Sequence, residues 1–141
     1  MSLLGEKEQV IVSEQFQRLE NPVRMIHFTQ GLMCDTCPET QRLLEDLASL
    51  SDKVTLEVHN FAIEQELAAQ FQVARVPATV IQTEKDFGIR LYGLPSGYEF
   101  ASLLHAILAV SRSATELSEE SKTLLRSVTT PTHIQVFVTP T

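Results

Sequence analysis

The stretch GLMCDTCPET, residues 31–40, holds the only two cysteines of the 141-residue chain, three positions apart, with a proline directly after the second. Upstream lies VRMIHF, residues 23–28, an apolar run of strand length. Downstream, Leu43, Leu44, Leu47 and Leu50 recur at helical spacing, opposed by Glu39, Arg42, Glu45 and Asp46. The pattern predicts a strand, a turn over Thr29 to Met33, and a helix opened by the cysteine pair.

Side chains at i and i+3 on a first helical turn are neighbours, with beta carbons about 5–6 Å apart, close to what a disulfide tolerates. Cys34 and Cys37 can therefore bond or separate with little backbone motion. Unpaired N–H groups and the partial positive charge at a helix start favour a thiolate at the outermost sulfur, so Cys34 is the expected nucleophile. Cys37, one turn deeper, would resolve the mixed disulfide. Pro38 costs little there, because its missing N–H has no intrahelical role in the first turn. Asp35 opposes the thiolate and predicts a Cys34 pKa above that of the same site with a neutral neighbour.

Two other readings share this spacing. C-x-x-C is half of many zinc sites, and the pair could also be inert small apolar residues. His27, His59, His105 and His133 are the available imidazoles, and none lies in a spaced motif with another cysteine or histidine. The helix-start context favours the redox couple, with no cofactor beyond the Cys34–Cys37 disulfide itself.

Composition narrows the setting. A net charge of -7 and a pI near 5.0 exclude nucleic acid and anionic membrane as expected partners, since both reward a concentrated positive face. No apolar run approaches the roughly 18 residues of a membrane span, and Met1 to Glu20 is too acidic and interrupted for a secretory signal. A cytoplasmic location is expected, where a disulfide is more often a catalytic intermediate than a fixture.

The rest of the chain alternates helix and strand. Val12, Phe16 and Leu19 predict a helix over residues 6–20, stopped by Asn21 and Pro22. VTLEVHNF, residues 54–61, has strand alternation, and Ile63, Leu67 and Phe71 mark a short helix. A strand near 78–83 follows Pro77, KDFGIRLYG closes a hairpin, and residues 98–110 predict a deeply buried helix. The order predicts an α/β fold whose mixed central sheet has helices on both faces. A further helix is expected after Ser118, with Leu124, Leu125 and Val128 as its apolar face, then a strand over HIQVFV, residues 133–138.

These motifs resemble the thioredoxin-like fold: strand, C-x-x-C at a helix start, a Val-Pro pair entering a later strand, and a glycine before the last helix. NPVRMIHF, CDTC, VPAT, KDFGIRLYGLPSGYEF and VFVTPT together resemble the glutaredoxin-like protein disulfide oxidoreductases, which carry two thioredoxin-fold units in tandem. Similarity to the N-terminal domain of the flavin-containing alkyl hydroperoxide reductase subunit is more distant. The resemblance implies a cis Pro77 opposite Cys34, with the Val76 backbone, Pro77 and Met33 holding a bound peptide. It also implies a unit over residues 1–112, with 113–141 as a linker helix and the first strand of a second unit not included here. An unpaired strand at 133–138 would favour self-association through Ile134, Val136 and Val138.

Thioredoxins proper place a buried acid beneath the resolving cysteine, and VRMIHF has none. His27 is the nearest titratable group and the candidate for proton transfer, against the reading of a histidine that simply ends a strand. The function expected is a protein disulfide oxidoreductase unit in cell redox homeostasis. It would act on protein disulfides or dithiols, with an upstream flavoprotein or thioredoxin-reductase-type donor. The alternatives are a non-catalytic docking module for a redox partner and a C-x-x-C metal-binding module. Glutathione dependence is disfavoured because no Lys or Arg stands near the pair in sequence, Arg75 being the one candidate.

Overall fold

The computed structural model describes residues 2–139; Met1, Pro140 and Thr141, the outer ends of the two expected segments, lie outside the described residues. Strands β1 (Val23–Thr29), β2 (Val54–Asn60), β3 (Ala78–Gln82) and β4 (Ile89–Tyr92) form one sheet in the order β2-β1-β3-β4. β1 and β2 are parallel, with Thr29 opposite Asn60, while β1–β3 and β3–β4 are antiparallel, with Phe28 opposite Ala78 and Ala78 opposite Tyr92. A parallel pair needs a crossover, and α2 (Cys37–Ser49) supplies it.

Alternation along the strands divides the core in two. Val23 and Met25 of β1 and Ile81 of β3 face α1 (Glu6–Phe16), α2 and α4 (Tyr98–Arg112), meeting Phe16, Leu44, Leu47, Leu103 and Ile107. Ile26 and Phe28, with Ala78 and Val80, face the opposite way toward Ala68 of α3 (Gln65–Gln70) and Val73. The sheet is therefore mixed and covered on both faces, as the helix–strand alternation implies.

The expected first helix is shorter than its pattern. It ends at Phe16 because Arg18 and Leu19 close the turn with tighter i to i−3 bonds to Gln15 and Phe16, yet Leu19 remains buried. Asn21 then ties this turn to α4: Ser111 Oγ accepts from the Glu20 N–H at 2.8 Å and the Asn21 N–H at 3.0 Å, and donates to the Asn21 carbonyl at 2.8 Å. Ile63 is not part of the third helix, which begins at Gln65, and its side chain stands in solvent.

The extension forms one element only. Helix α5 (Glu119–Arg126) is capped by Ser118, whose Oγ accepts the Ser121 N–H at 3.1 Å. Leu124, Leu125 and Val128 all lie exposed. Residues 133–138 form no strand, because no other described segment offers them a ladder partner.

Candidate active site

The parallel strands β1 and β2 end, β3 begins and β4 ends at one edge of the sheet, so residues 30–36, 61–64, 74–77 and 93–97 converge there. The cysteine pair belongs to the first of these segments. Met33 takes a left-handed φ of 57°, which a non-glycine residue adopts at a cost, and Cys34 to Thr36 turn into the helix. Helix α2 starts at Cys37 with Thr36 as its N-cap, so Cys34 sits ahead of the helix rather than on its first turn. The i, i+3 relation survives this shift: the Cys37 N–H donates to the Cys34 carbonyl at 3.4 Å and the Cα atoms are 5.4 Å apart.

The two sulfurs are joined in a disulfide. Their accessibility differs sharply. Cys37 is fully buried, whereas Cys34 is half-buried and flanked by the exposed Met33 and Asp35. Pro38 is the second helical residue, where its missing N–H leaves no bond unmade, and Thr40 Oγ1 donates back to the Thr36 carbonyl at 2.7 Å.

At the same edge, the Val76–Pro77 peptide is cis, and the Gly93 N–H donates to the Pro77 carbonyl at 2.9 Å. Among the described residues, the main-chain groups of Val76 make no backbone hydrogen bond. Arg75 lays its guanidinium 4.5 Å from the centre of the Tyr92 ring, a cation–π contact that fixes the one cation near the loop.

His27 does not end its strand. It is fully buried in β1, on the same sheet face as Val23 and Met25. Its Nδ1 lies 3.1 Å from the Ala78 carbonyl oxygen and 3.3 Å from Thr79 Oγ1. A carbonyl can only accept, so Nδ1 carries the hydrogen and Nε2 presents a bare lone pair. That Nε2 is buried with no hydrogen-bond partner among the described residues. Burial pushes the imidazole pKa down to about 4, against the upward pull of the Ala78 bond and of the Glu45 carboxylate on α2.

The other imidazoles stand apart from the pair. His59 on β2 bonds the Glu64 carboxylate at 3.0 Å and stacks near Phe28, while His105 and His133 are exposed. Among the described residues, no three His, Cys, Asp or Glu side chains are grouped to hold a metal ion. No helix of the described residues is long and apolar enough to cross a membrane. Sequence reading missed how the acidic residues distribute around this edge, because that depends on which loops the topology brings together.

Fold and site together define a thioredoxin-fold unit with a C-x-x-C disulfide, and it is the thiol–disulfide oxidoreductases that this arrangement resembles. The chain is 37% identical over 83 residues to an alkyl hydroperoxide reductase component of Xanthomonas campestris pv. phaseoli, a match covering 55% of this chain and 14% of that protein. It is 27% identical over 107 residues to an NADH dehydrogenase of Bacillus subtilis strain 168, covering 76% of this chain and 19% of that one. A solved protein disulfide oxidoreductase from Aeropyrum pernix K1 superposes with a TM-score of 0.78 at 25% identity, over 88% of this chain and 55% of that chain. The N-terminal domain of alkylhydroperoxide reductase from Enterococcus faecalis gives 0.76 at 25% identity, over 85% of this chain and 58% of that chain. The chain thus spans under a fifth of the length of the curated relatives and somewhat over half of the solved chains. No family model matches it.

Proposed function

We propose that this unit exchanges disulfides with protein substrates, Cys34 attacking and Cys37 resolving. The observation that carries the reading is the unequal exposure of two bonded sulfurs at a sheet edge where the Val76 main chain is unpaired. In the reducing direction, the Cys34 thiolate attacks one sulfur of a substrate disulfide. The substrate S–S bond breaks, a mixed disulfide forms, and the released substrate thiolate takes a proton. Cys37 then loses its proton and attacks the Cys34 sulfur, which frees the second substrate thiol and closes Cys34–Cys37. Two electrons and two protons have passed to the substrate. A flavoprotein or thioredoxin-reductase-type donor upstream returns them.

Val76 offers its free N–H and carbonyl to an extended substrate segment, as an added strand would, and Pro77 and Met33 flank it. His27 takes the proton-transfer role: its bare Nε2 is a buried acceptor on the sheet face that α2 covers. The low pKa suits it to pass a proton on rather than hold it. The site is read as needing no cofactor beyond the dithiol and as working in the cytoplasm.

The domain division proposed with this reading is a dithiol unit over residues 1–112, with 113–141 joining it to a second unit of the same fold. The exposed Ile134, Val136 and Val138 offer a surface for self-association, which sedimentation showing a strict monomer at high concentration would remove.

The test is reduction of a disulfide-bonded protein by the pre-reduced chain, monitored by thiol release. Cys34→Ser should abolish it, and His27→Gln should slow the resolving step between pH 6 and 8. A docking module whose cysteines contribute nothing would leave wild type and Cys34→Ser equally inert.

A further inference from the structure

The charges of this chain are not spread evenly over its two ends. On the edge that carries Cys34 lie Asp35, Glu39 in the first turn of α2, Glu66 in the first turn of α3 and Glu99 in the first turn of α4, all exposed. None of these carboxylates has an ion pair or hydrogen-bond partner among the described residues. Glu64 joins them, held by His59 and the Asn60 N–H. The only Lys or Arg on these converging loops is Arg75, and it is committed to the Tyr92 ring. Lys53, Lys85 and Arg90 sit at the opposite edge, where β2 and β4 begin and β3 ends, and Arg112 closes α4 there.

Apolar side chains are interleaved with these acids. Met33 is 98% exposed, Leu32 81%, Ile63 80% and Tyr98 82%, and all of them lie on segments at the dithiol edge. A cavity of about 260 Å³ that includes Ser96 and Gly97 of this edge is lined by Leu43, Leu94 and Phe100 together with Glu8 and Glu39. Met33 has a left-handed backbone and keeps a large apolar side chain in solvent directly before Cys34.

From this juxtaposition we infer that the substrate class is a polypeptide disulfide flanked by cationic and apolar residues. The inference rests on the disulfide-exchange reading above and narrows it. An acidic rim attracts a basic client and repels an acidic one, and the apolar side chains give it something to bury once it has arrived. Both effects disfavour glutathione, a small anion, as the direct partner. Because the carboxylates are exposed, their effect acts mainly on the rate of encounter and is screened over about 10 Å at 0.1 M salt.

The experiment compares two disulfide-bonded peptides, identical except for Lys or Glu at the flanking positions, each reduced in single turnover by the pre-reduced full chain. At low ionic strength the Lys-flanked peptide should react about tenfold faster or more, and the gap should close as salt rises toward 0.5 M. Combining Glu39→Gln, Glu66→Gln and Glu99→Gln should shrink the gap without added salt. Asp35 is left intact, so that the thiolate beside it keeps its own electrostatic setting. Equal rates for the two peptides at low salt overturn the inference while leaving disulfide exchange standing. Failure to reduce either peptide overturns both.

Discussion

His27 and Ala78 are joined across β1 and β3: the imidazole Nδ1 donates to the carbonyl of the residue directly after the cis proline, at 3.1 Å. One buried side chain therefore holds the start of β3, next to the cis proline, with one nitrogen and leaves the other bare. The same bond fixes the tautomer, since only a protonated Nδ1 can donate to the carbonyl.

A pH dependence of stability follows from His27. The unfolded chain protonates this imidazole near pH 6.5, whereas the folded protein keeps it neutral down to about 4. Between those values the unfolded state binds more protons, so stability falls as pH falls from 6.5 to 4. The shift corresponds to on the order of 3 kcal/mol across that window. Denaturant unfolding of wild type and His27→Gln at pH 7.5, 6, 5 and 4 should show the wild-type slope flattened in the variant. Parallel slopes would place the proton elsewhere.

The buried resolving sulfur gives a covalent signature. In the proposed order, Cys37→Ala leaves the half-buried Cys34 able to attack but removes the group that would release the substrate. A mixed disulfide should accumulate, visible by mass as chain plus one substrate and reversed by dithiothreitol. Cys34→Ala should give no such adduct, because Cys37 is out of a partner's reach. Adducts of equal yield on both variants would contradict the assigned order.

Asp86 and Arg90 clamp the β3–β4 turn. Arg90 meets both carboxylate oxygens of Asp86 at 2.7 Å and donates from Nε to the Phe71 carbonyl at 3.0 Å, joining the hairpin to the end of α3. The guanidinium beside Asp86, helped by the Gly88 N–H, holds its carboxyl down to about 2. A depressed carboxyl contributes stability above its ordinary value near 3.8 and loses it as pH falls toward 2. Asp86 is considerably exposed, so solvent screening limits Asp86→Asn to about 1 kcal/mol at pH 7. That difference should vanish at pH 2. A loss that persists unchanged there would mean packing, not charge, holds the turn.

Much of this architecture was legible in the chain. Leu43, Leu44 and Leu47 against Glu39, Arg42 and Glu45 repeat at helical period, and the period carries the face that packs on the sheet. Local pattern misleads where a partner decides the outcome. Ile63 fits the spacing of Leu67 and Phe71, yet Asn60 Oδ1 accepts the Ala62 and Ile63 N–H groups and bends the chain before the helix begins. Residues 133–138 alternate like a strand, but a strand exists only with a neighbour to bond. The dithiol itself was plain in the spacing. Cys34 alone stands ahead of α2, directly after the left-handed Met33, a conformation that no motif encodes. The acidic edge was hidden because Asp35 and Glu39 lie far in sequence from Glu66 and from Glu99, and the three segments meet only through strand order.

Two leucine truncations separate the folded core from the extension. Leu44 is fully buried between α2 and the sheet, touching the cluster that contains Met25 and Leu47. Leu44→Ala removes its contacts and leaves a cavity, at a cost of about 2–5 kcal/mol. Leu124 on α5 is largely exposed, as is every apolar side chain of that helix. Leu124→Ala loses little buried area and should change stability by about 0.5 kcal/mol or less. Chemical denaturation of both variants at low protein concentration makes the comparison, and repeating it at high concentration adds a second axis. If Leu124→Ala becomes destabilising only as concentration rises, α5 is being covered by another molecule, and mass action rather than the fold of a single chain sets its contribution.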